Sequence, residues 1–329
     1  MEQSREVLTV GAAAVILSLT LRIFAGLPIL EGIGMGELLM YLRTGYPMRH
    51  PVVSAPTAEM PMPTRPPELI SPNPGEMPLM LEEAGVQRVM LHDLVDYEPD
   101  IKELYRAPLS WDLRGEEPAV LILHTHATES YTMGSGEEYE ESGLYRTLDE
   151  NYNMLAIGAE LARILERGGI SVLHDRVLHD YPSYNGSYAA ARKSIAAYLE
   201  AYPGILMVID LHRDALDLEK DPQLTTLATV NGEKSAQLML VAGTDANQEY
   251  PNWEENLALG VKLTAVLETM HPGITKPIQL RAQRFNLDMT PGSLLVEVGA
   301  NGNTQAEALR AVRALGAAIV ALSRGTVSE

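Results

Sequence analysis

The sequence predicts an α/β protein: a single catalytic domain with a central, mostly parallel or mixed sheet flanked by helices. Three observations carry that prediction. Short apolar runs, Ala119–Leu123, Ile205–Ile209 and Leu294–Val298, read as buried strands. Amphipathic stretches at helical spacing lie between them. Each run also ends in or encloses titratable residues: His124, His126 and Glu129 after the first, Asp210 and His212 closing the second, and Glu297 inside the third. Functional groups of α/β sheets gather at the carboxyl ends of strands, so these residues point to one shared site of metal-ligating or acid/base type.

Composition narrows the classes. A chain of 329 residues that is 46% hydrophobic has a globular core, as one large domain or two smaller ones. A net charge of -19 excludes nucleic acid as a partner, because phosphate binding needs a basic surface, and it disfavours docking on anionic lipid. With no cysteine there is no disulfide framework and no thiolate zinc site, so a metal must be held by His, Asp or Glu.

In chain order, residues 1–34 read as a cytoplasmic tip and a membrane anchor. Val7–Leu30 is apolar apart from Arg22, and about 20 apolar residues span a bilayer. Arg22 costs on the order of 3 kcal/mol at mid-membrane but can snorkel to an interface. No Ala-x-Ala cleavage pattern follows, which favours an anchor over a removed signal peptide. The expected product is a single-pass protein of the cell membrane with its catalytic domain outside the cytoplasm. Residues 35–78 form a juxtamembrane segment, amphipathic through Leu38, Leu39, Tyr41 and Leu42, and a proline-rich linker. Ten of the chain's 21 prolines fall between Pro47 and Pro78, and such a stretch favours extended, unpacked backbone.

Residues 79–110 read as an adaptor, with a strand or helix over Val86–Leu94 and a turn at Ile101–Leu104. Residues 111–329 form the catalytic domain. Within it, Asn153–Arg167 has helical spacing and stops at Gly168-Gly169, and Ile170–Leu173 is a strand, completing a βαβ unit. Tyr188–Ala201 is a second helix ending before Pro203-Gly204. Gln237–Val241 is a strand, Trp253–Met270 a third helix and Glu307–Arg324 the closing one.

His50, His92, His174, His179 and His271 read as structural, hydrogen-bonded residues. His124 and His126 differ: alternation puts both on one side if the strand persists, or they divide roles, one binding metal and the other supporting it. Glu297 sits among apolar neighbours, where an unpaired carboxylate is costly, so it is either paired with a cation or functional. Asp149-Glu150 suits a helix N-terminus electrostatically.

The blocks His124-Thr-His-Ala-Thr-Glu-Ser-Tyr131, Tyr184-Asn-Gly-Ser-Tyr188, Asp210-Leu-His-Arg-Asp-Ala215, Trp253-Glu-Glu-Asn256 and Leu295-Val-Glu-Val-Gly-Ala-Asn-Gly-Asn-Thr304 occur in this order. Together, over roughly Ala119 to Ala321, the chain resembles the stage II sporulation protein P family. That resemblance implies a membrane-anchored cell-wall hydrolase of endospore formers, related to zinc-dependent N-acetylmuramoyl-L-alanine amidases, with peptidoglycan as substrate and stage II sporulation proteins D and M as partners. It picks His126, Glu150 and His212 as zinc ligands, the second through Glu150-Asn-Tyr-Asn-Met-Leu-Ala-Ile157, and Glu297 as the catalytic glutamate. Through its other blocks it implies that Tyr184, Asn185, Ser187, Arg284 and Asn286 meet the substrate, although Phe285 stands where the family has a tyrosine. Glu129 stays open as the alternative ligand or as a supporting residue.

The chemistry asks for these residue types. Three N/O ligands leave zinc one position for water, Glu297 is placed to move the water proton to the leaving amine, and Arg213 to stabilise the oxyanion. Asp210, Asp214 and His124 are then groups that orient ligands. The amidase bond is the expected target, with stem-peptide cross-links as a second. The alternative is a tethered module that has lost catalysis and binds peptidoglycan or partner proteins.

Overall fold

The first apolar run forms β2 (Val120–Leu123), completely buried, in the middle of one half of a seven-stranded sheet. The computed structural model describes residues 85–109, 112–215 and 225–325. The expected membrane anchor, juxtamembrane helix and proline-rich linker, together with Trp111, lie outside the described residues. Among the described residues no helix is long and apolar enough to cross a membrane.

After a 3₁₀ turn at Val86–Arg88 come β1 (Leu91–Asp93) and α1 (Ile101–Arg106). The stretch read as an adaptor thus supplies an edge strand, and Ile101, Leu104 and Tyr105 pack on the main core. β2 is followed by α2 (Met154–Arg167), whose N-terminus is capped by the Asn153 side chain accepting from Leu155 N. One stripe of α2, Met154, Ile157, Leu161 and Leu165, is fully buried, as its spacing predicts. β3 (Val172–His174) starts later than expected because Ile170 is taken by an isolated antiparallel bridge to Arg114.

Next come α3 (Ser187–Ala201), β4 (Met207–Asp214), a hairpin of β5 (Leu227–Val230) and β6 (Glu233–Ala236), and β7 (Leu238–Gly243). The chain closes with α4 (Trp253–Met270), β8 (Ile278–Arg281), β9 (Ser293–Ala300) and α5 (Gln305–Gly325).

The strand order is β1-β8-β7-β9-β4-β2-β3. All neighbours are parallel except β7 and β9, so the sheet is mixed, with three strands running against the other four. Side-chain alternation divides the core. Val120 and Ile122 of β2, Ile209 and Leu211 of β4, and Val296 and Val298 of β9 face α2, α4 and α5. Leu121, Leu123 and Val208 face α3 through Ala191, Ile195 and Tyr198. From β2 the chain runs through α2 to β3 on one side, then crosses back through α3 on the opposite face to β4 on the other. Such a switch opens a crevice beyond the carboxyl ends of the two inner strands, here β2 and β4.

Candidate active site

His212 and Glu297 are paired residues of the adjacent strands β4 and β9. Both fall on the α3 face, since their even- and odd-numbered neighbours Ile209, Leu211, Val296 and Val298 point the other way. Parallel strands lie about 4.8 Å apart, so this register alone sets an imidazole beside a carboxylate. Burial raises the Glu297 carboxyl to about 8, with Glu129 and Asp214 adding to it against His212 and Arg213. Burial works against charge on His212, but Asp210, Glu129 and Glu297 outweigh it and lift the imidazole to about 10. The two shifts describe one shared charge cluster.

The third member arrives from β2. The strand stops at Leu123 and the chain turns at once, so His124 and His126 part company. His124 continues the buried face: its Nδ1 donates to Leu211 O (3.1 Å), and its Nε2 therefore accepts from His174 Nε2 (2.9 Å). Both His124 nitrogens are thus occupied within the core, and the ring has no exposure. His126 sits beyond the turn. Its ring lies edge-on to His212 with centroids 5.1 Å apart, and burial lowers it to about 4, so it is neutral at physiological pH.

The turn is built by threonines and buried aspartates. Thr125 donates through N and Oγ1 to Asp210 (2.8 and 2.6 Å), and Thr128 Oγ1 donates to Asp180 (2.6 Å). Glu129 N closes the turn on His126 O (3.2 Å), which returns the Glu129 carboxylate to the cluster. Its Oε2 stands 3.8 Å from His212 Nδ1 and accepts from Arg213 N (3.2 Å). Glu150, the ligand implied by resemblance, is instead ion-paired with Arg176 (2.6 Å) with its side chain 38% exposed, ahead of α2. Of the two glutamates weighed as ligand, Glu129 is the one that stands near His212.

Arg213 is buried and donates to Ser130 O (3.1 Å) and Tyr145 O (3.0 Å), so its guanidinium clamps the loop after Glu129. Asp210 Oδ1 is 3.1 Å from His212 Nε2, though out of line for a hydrogen bond, and Asp214 pairs with Lys276 (2.9 Å). Tyr184 is exposed and stacks on His126 with centroids 4.5 Å apart. Ser187 starts α3, and Asn185 lies in the exposed turn before it. Asn286 donates to Tyr188 O (2.8 Å), and Tyr188 lies edge-on to His126. Arg284 pairs with Asp288 (3.1 Å), the partner also of Arg192, and belongs to a separate ion network. Arg146, Asp180 and Tyr188 were not singled out from the sequence. Only the threonines flanking His126 hinted that buried acceptors must exist for them.

Among the described residues no group of three His, Asp or Glu side chains is arranged to hold a metal ion. The residue types gathered there nonetheless suit one. Buried polar atoms lacking a hydrogen-bond partner include His126 Nδ1, His212 Nε2 and Glu297 Oε2. Two imidazoles and the Glu129 carboxylate are the N and O donors that zinc takes where cysteine is lacking.

A family model described as stage II sporulation protein P matches residues 76–320. Stage II sporulation protein P of Bacillus subtilis (strain 168) is 27% identical over 212 residues, covering 61% of this chain and 50% of that protein. The chain thus spans about half the length of this curated relative. Among solved structures, the N-acetylmuramoyl-L-alanine amidase AmiC2 of Nostoc punctiforme is 15% identical with a TM-score of 0.37, covering 63% of this chain and 98% of its own. The catalytic domain of CwlV, an N-acetylmuramoyl-L-alanine amidase from Bacillus (Paenibacillus) polymyxa var. colistinus, is 12% identical with a TM-score of 0.36, covering 62% and 97%.

Proposed function

The chain belongs to the stage II sporulation protein P family, and from that premise we propose that it is a peptidoglycan hydrolase of sporulation that cleaves the N-acetylmuramoyl-L-alanine amide bond with zinc. The observation that carries this reading is the register of β4 and β9, which places His212 beside Glu297 next to His126 and Glu129. His126, His212 and Glu129 would hold the ion, and His126, neutral by burial, has its lone pair free at physiological pH. Bound there, zinc would supply Lewis acidity at the scissile carbonyl and make water acidic enough to attack near neutral pH.

The chain's own residues do the rest. Glu297 Oε2, buried and unpaired, takes the proton from the attacking water and returns it to the departing amine of L-alanine. Its raised pKa matches a group that must both accept and release a proton near neutrality. Asp210 holds the turn that carries His126 through Thr125, and Arg213 holds the loop that carries Glu129. Tyr184 offers an exposed ring at the mouth, where a sugar or peptide can stack. The same reading includes an amino-terminal anchor over Val7–Leu30, a catalytic domain outside the cytoplasmic membrane, stem-peptide cross-links as a second bond, and stage II sporulation proteins D and M as partners.

The test is zinc content, melting temperature and sacculus hydrolysis on wild-type and Glu297→Gln protein. The amide preserves volume but cannot accept the proton, so hydrolysis should fall roughly 10³-fold with zinc and fold retained. New L-alanine amino termini should appear only with wild type. A wild-type chain that binds no zinc and releases no termini would instead be a tethered binding module without catalysis.

A further inference from the structure

Asp180 and Arg146 stand behind the turn that delivers Glu129, and neither belongs to the set just described. The Asp180 side chain has no exposure. It accepts from Thr128 N (3.2 Å), Thr128 Oγ1 (2.6 Å) and Arg146 Nη1 (2.6 Å), so it fixes both the backbone immediately before Glu129 and one arm of the guanidinium. Arg146 Nη1 also donates to Thr128 Oγ1 (2.9 Å), while its second arm, Nη2, reaches Glu129 Oε1 at 3.5 Å. The same guanidinium lies over the Tyr184 ring, 4.9 Å from its centroid, and that ring stacks on His126. Arg213 contributes less to Glu129 Oε1: its nearest guanidinium nitrogen is 3.9 Å away, and the group is committed to two backbone carbonyls.

A glutamate side chain has several rotatable bonds, and a buried carboxylate takes whichever rotamer satisfies it. Here one oxygen is directed to the Arg146 guanidinium, and the other, which accepts from Arg213 N (3.2 Å), faces His212 Nδ1 at 3.8 Å. We propose that Arg146, fixed by the buried Asp180, is the positioning residue for Glu129, holding its carboxylate in the orientation that presents one oxygen to His212. A planar fork can serve two carboxylates at fixed angles, which a lysine ammonium cannot do in the same geometry. The inference rests on the reading of Glu129 as a zinc ligand.

Zinc dissociation constants by chelator competition, with melting temperatures of the zinc-free proteins, test it on the full chain in detergent. Arg146→Lys keeps a charge for Asp180 but releases Glu129. It should weaken zinc binding about 10-fold or more, within the 10- to 100-fold range of residues that support a ligand, with an unchanged melting temperature. Asp180→Asn should weaken it similarly, and the double variant no further than either alone, because both act on one carboxylate. Loss of zinc affinity in Glu129→Gln with none in Arg146→Lys would overturn this inference alone. An Arg146→Lys protein that loses zinc only as it loses stability would overturn it too, the role then being structural. A wild-type chain without zinc would remove the inference together with the reading beneath it.

Discussion

His124 and His126, two residues apart, are read differently by their surroundings, though burial holds both neutral. Burial lowers His124 to about 4, against an ordinary value of 6.5. The unfolded chain takes up a proton near pH 6.5 that the folded chain refuses until about pH 4. Stability from the neutral His124–His174 pair is therefore complete above pH 6.5 and is lost as pH falls through that window, by up to about 3 kcal/mol. Melting temperatures of the zinc-free protein between pH 7 and 4.5 should fall more steeply for wild type than for His124→Gln; parallel curves would show that the pair carries no such linkage. The sequence displayed both histidines and their apolar strand, but not which would bind. The turn that parts them depends on Asp210 and Asp180, acceptors 52 and more positions away from the threonines they hold. Nothing local in the sequence assigns such distant partners.

At the scale of elements, α2 shows how the strand-end chemistry constrains a helix. Gly158 lies in its interior, where alanine is ordinarily more stable by about 0.5–1 kcal/mol. A Cβ there, however, would fall inside contact distance of the Nε2 atoms of both His124 and His174. Gly158→Ala should thus reverse the usual sign and destabilise by about 1–3 kcal/mol, the range for overpacking a core, read as a lower denaturation midpoint. An unchanged or raised midpoint would mean that the histidine pair shifts freely. Helices were the most legible elements, because a buried stripe repeats over many residues: Trp253–Met270 agrees at both ends, and α2 and α3 agree within a residue. Strands were legible where both faces are buried, as in β2, β4 and β9. They were missed where one face is wet, as in the β5–β6 hairpin, and where the apolar run is brief, as in β8. The reversed direction of β7 relative to β9 has no signature in its own residues, since alternation reads the same from either end. The block around Asn256 proves architectural: its side chain bonds Leu287 O, Thr290 O and Ser293 N, tying α4 to the segment that feeds β9.

For the whole molecule, the proposed topology yields a prediction independent of the chemistry. Protease added to intact spheroplasts should remove the domain over residues 85–325 while cytoplasmic proteins survive; a full-length chain persisting while a known external protein is degraded would sink the anchor reading. The order of strands then bears on how such a chain tolerates being pulled. The described fold begins at Gly85 and enters the sheet through β1, an edge strand held to β8 over three residue pairs, whereas His212, Glu297 and the turn after β2 lie on strands beyond β8 and β7. If the proposed anchor transmits tension along the amino-terminal segment, the load falls on the Val86–Arg88 turn, with Val86 buried, and then on that short edge. β1 can peel away like a mechanical fuse, sparing the strands that carry the site, so that force on the leash shortens the sheet before it blunts the blade.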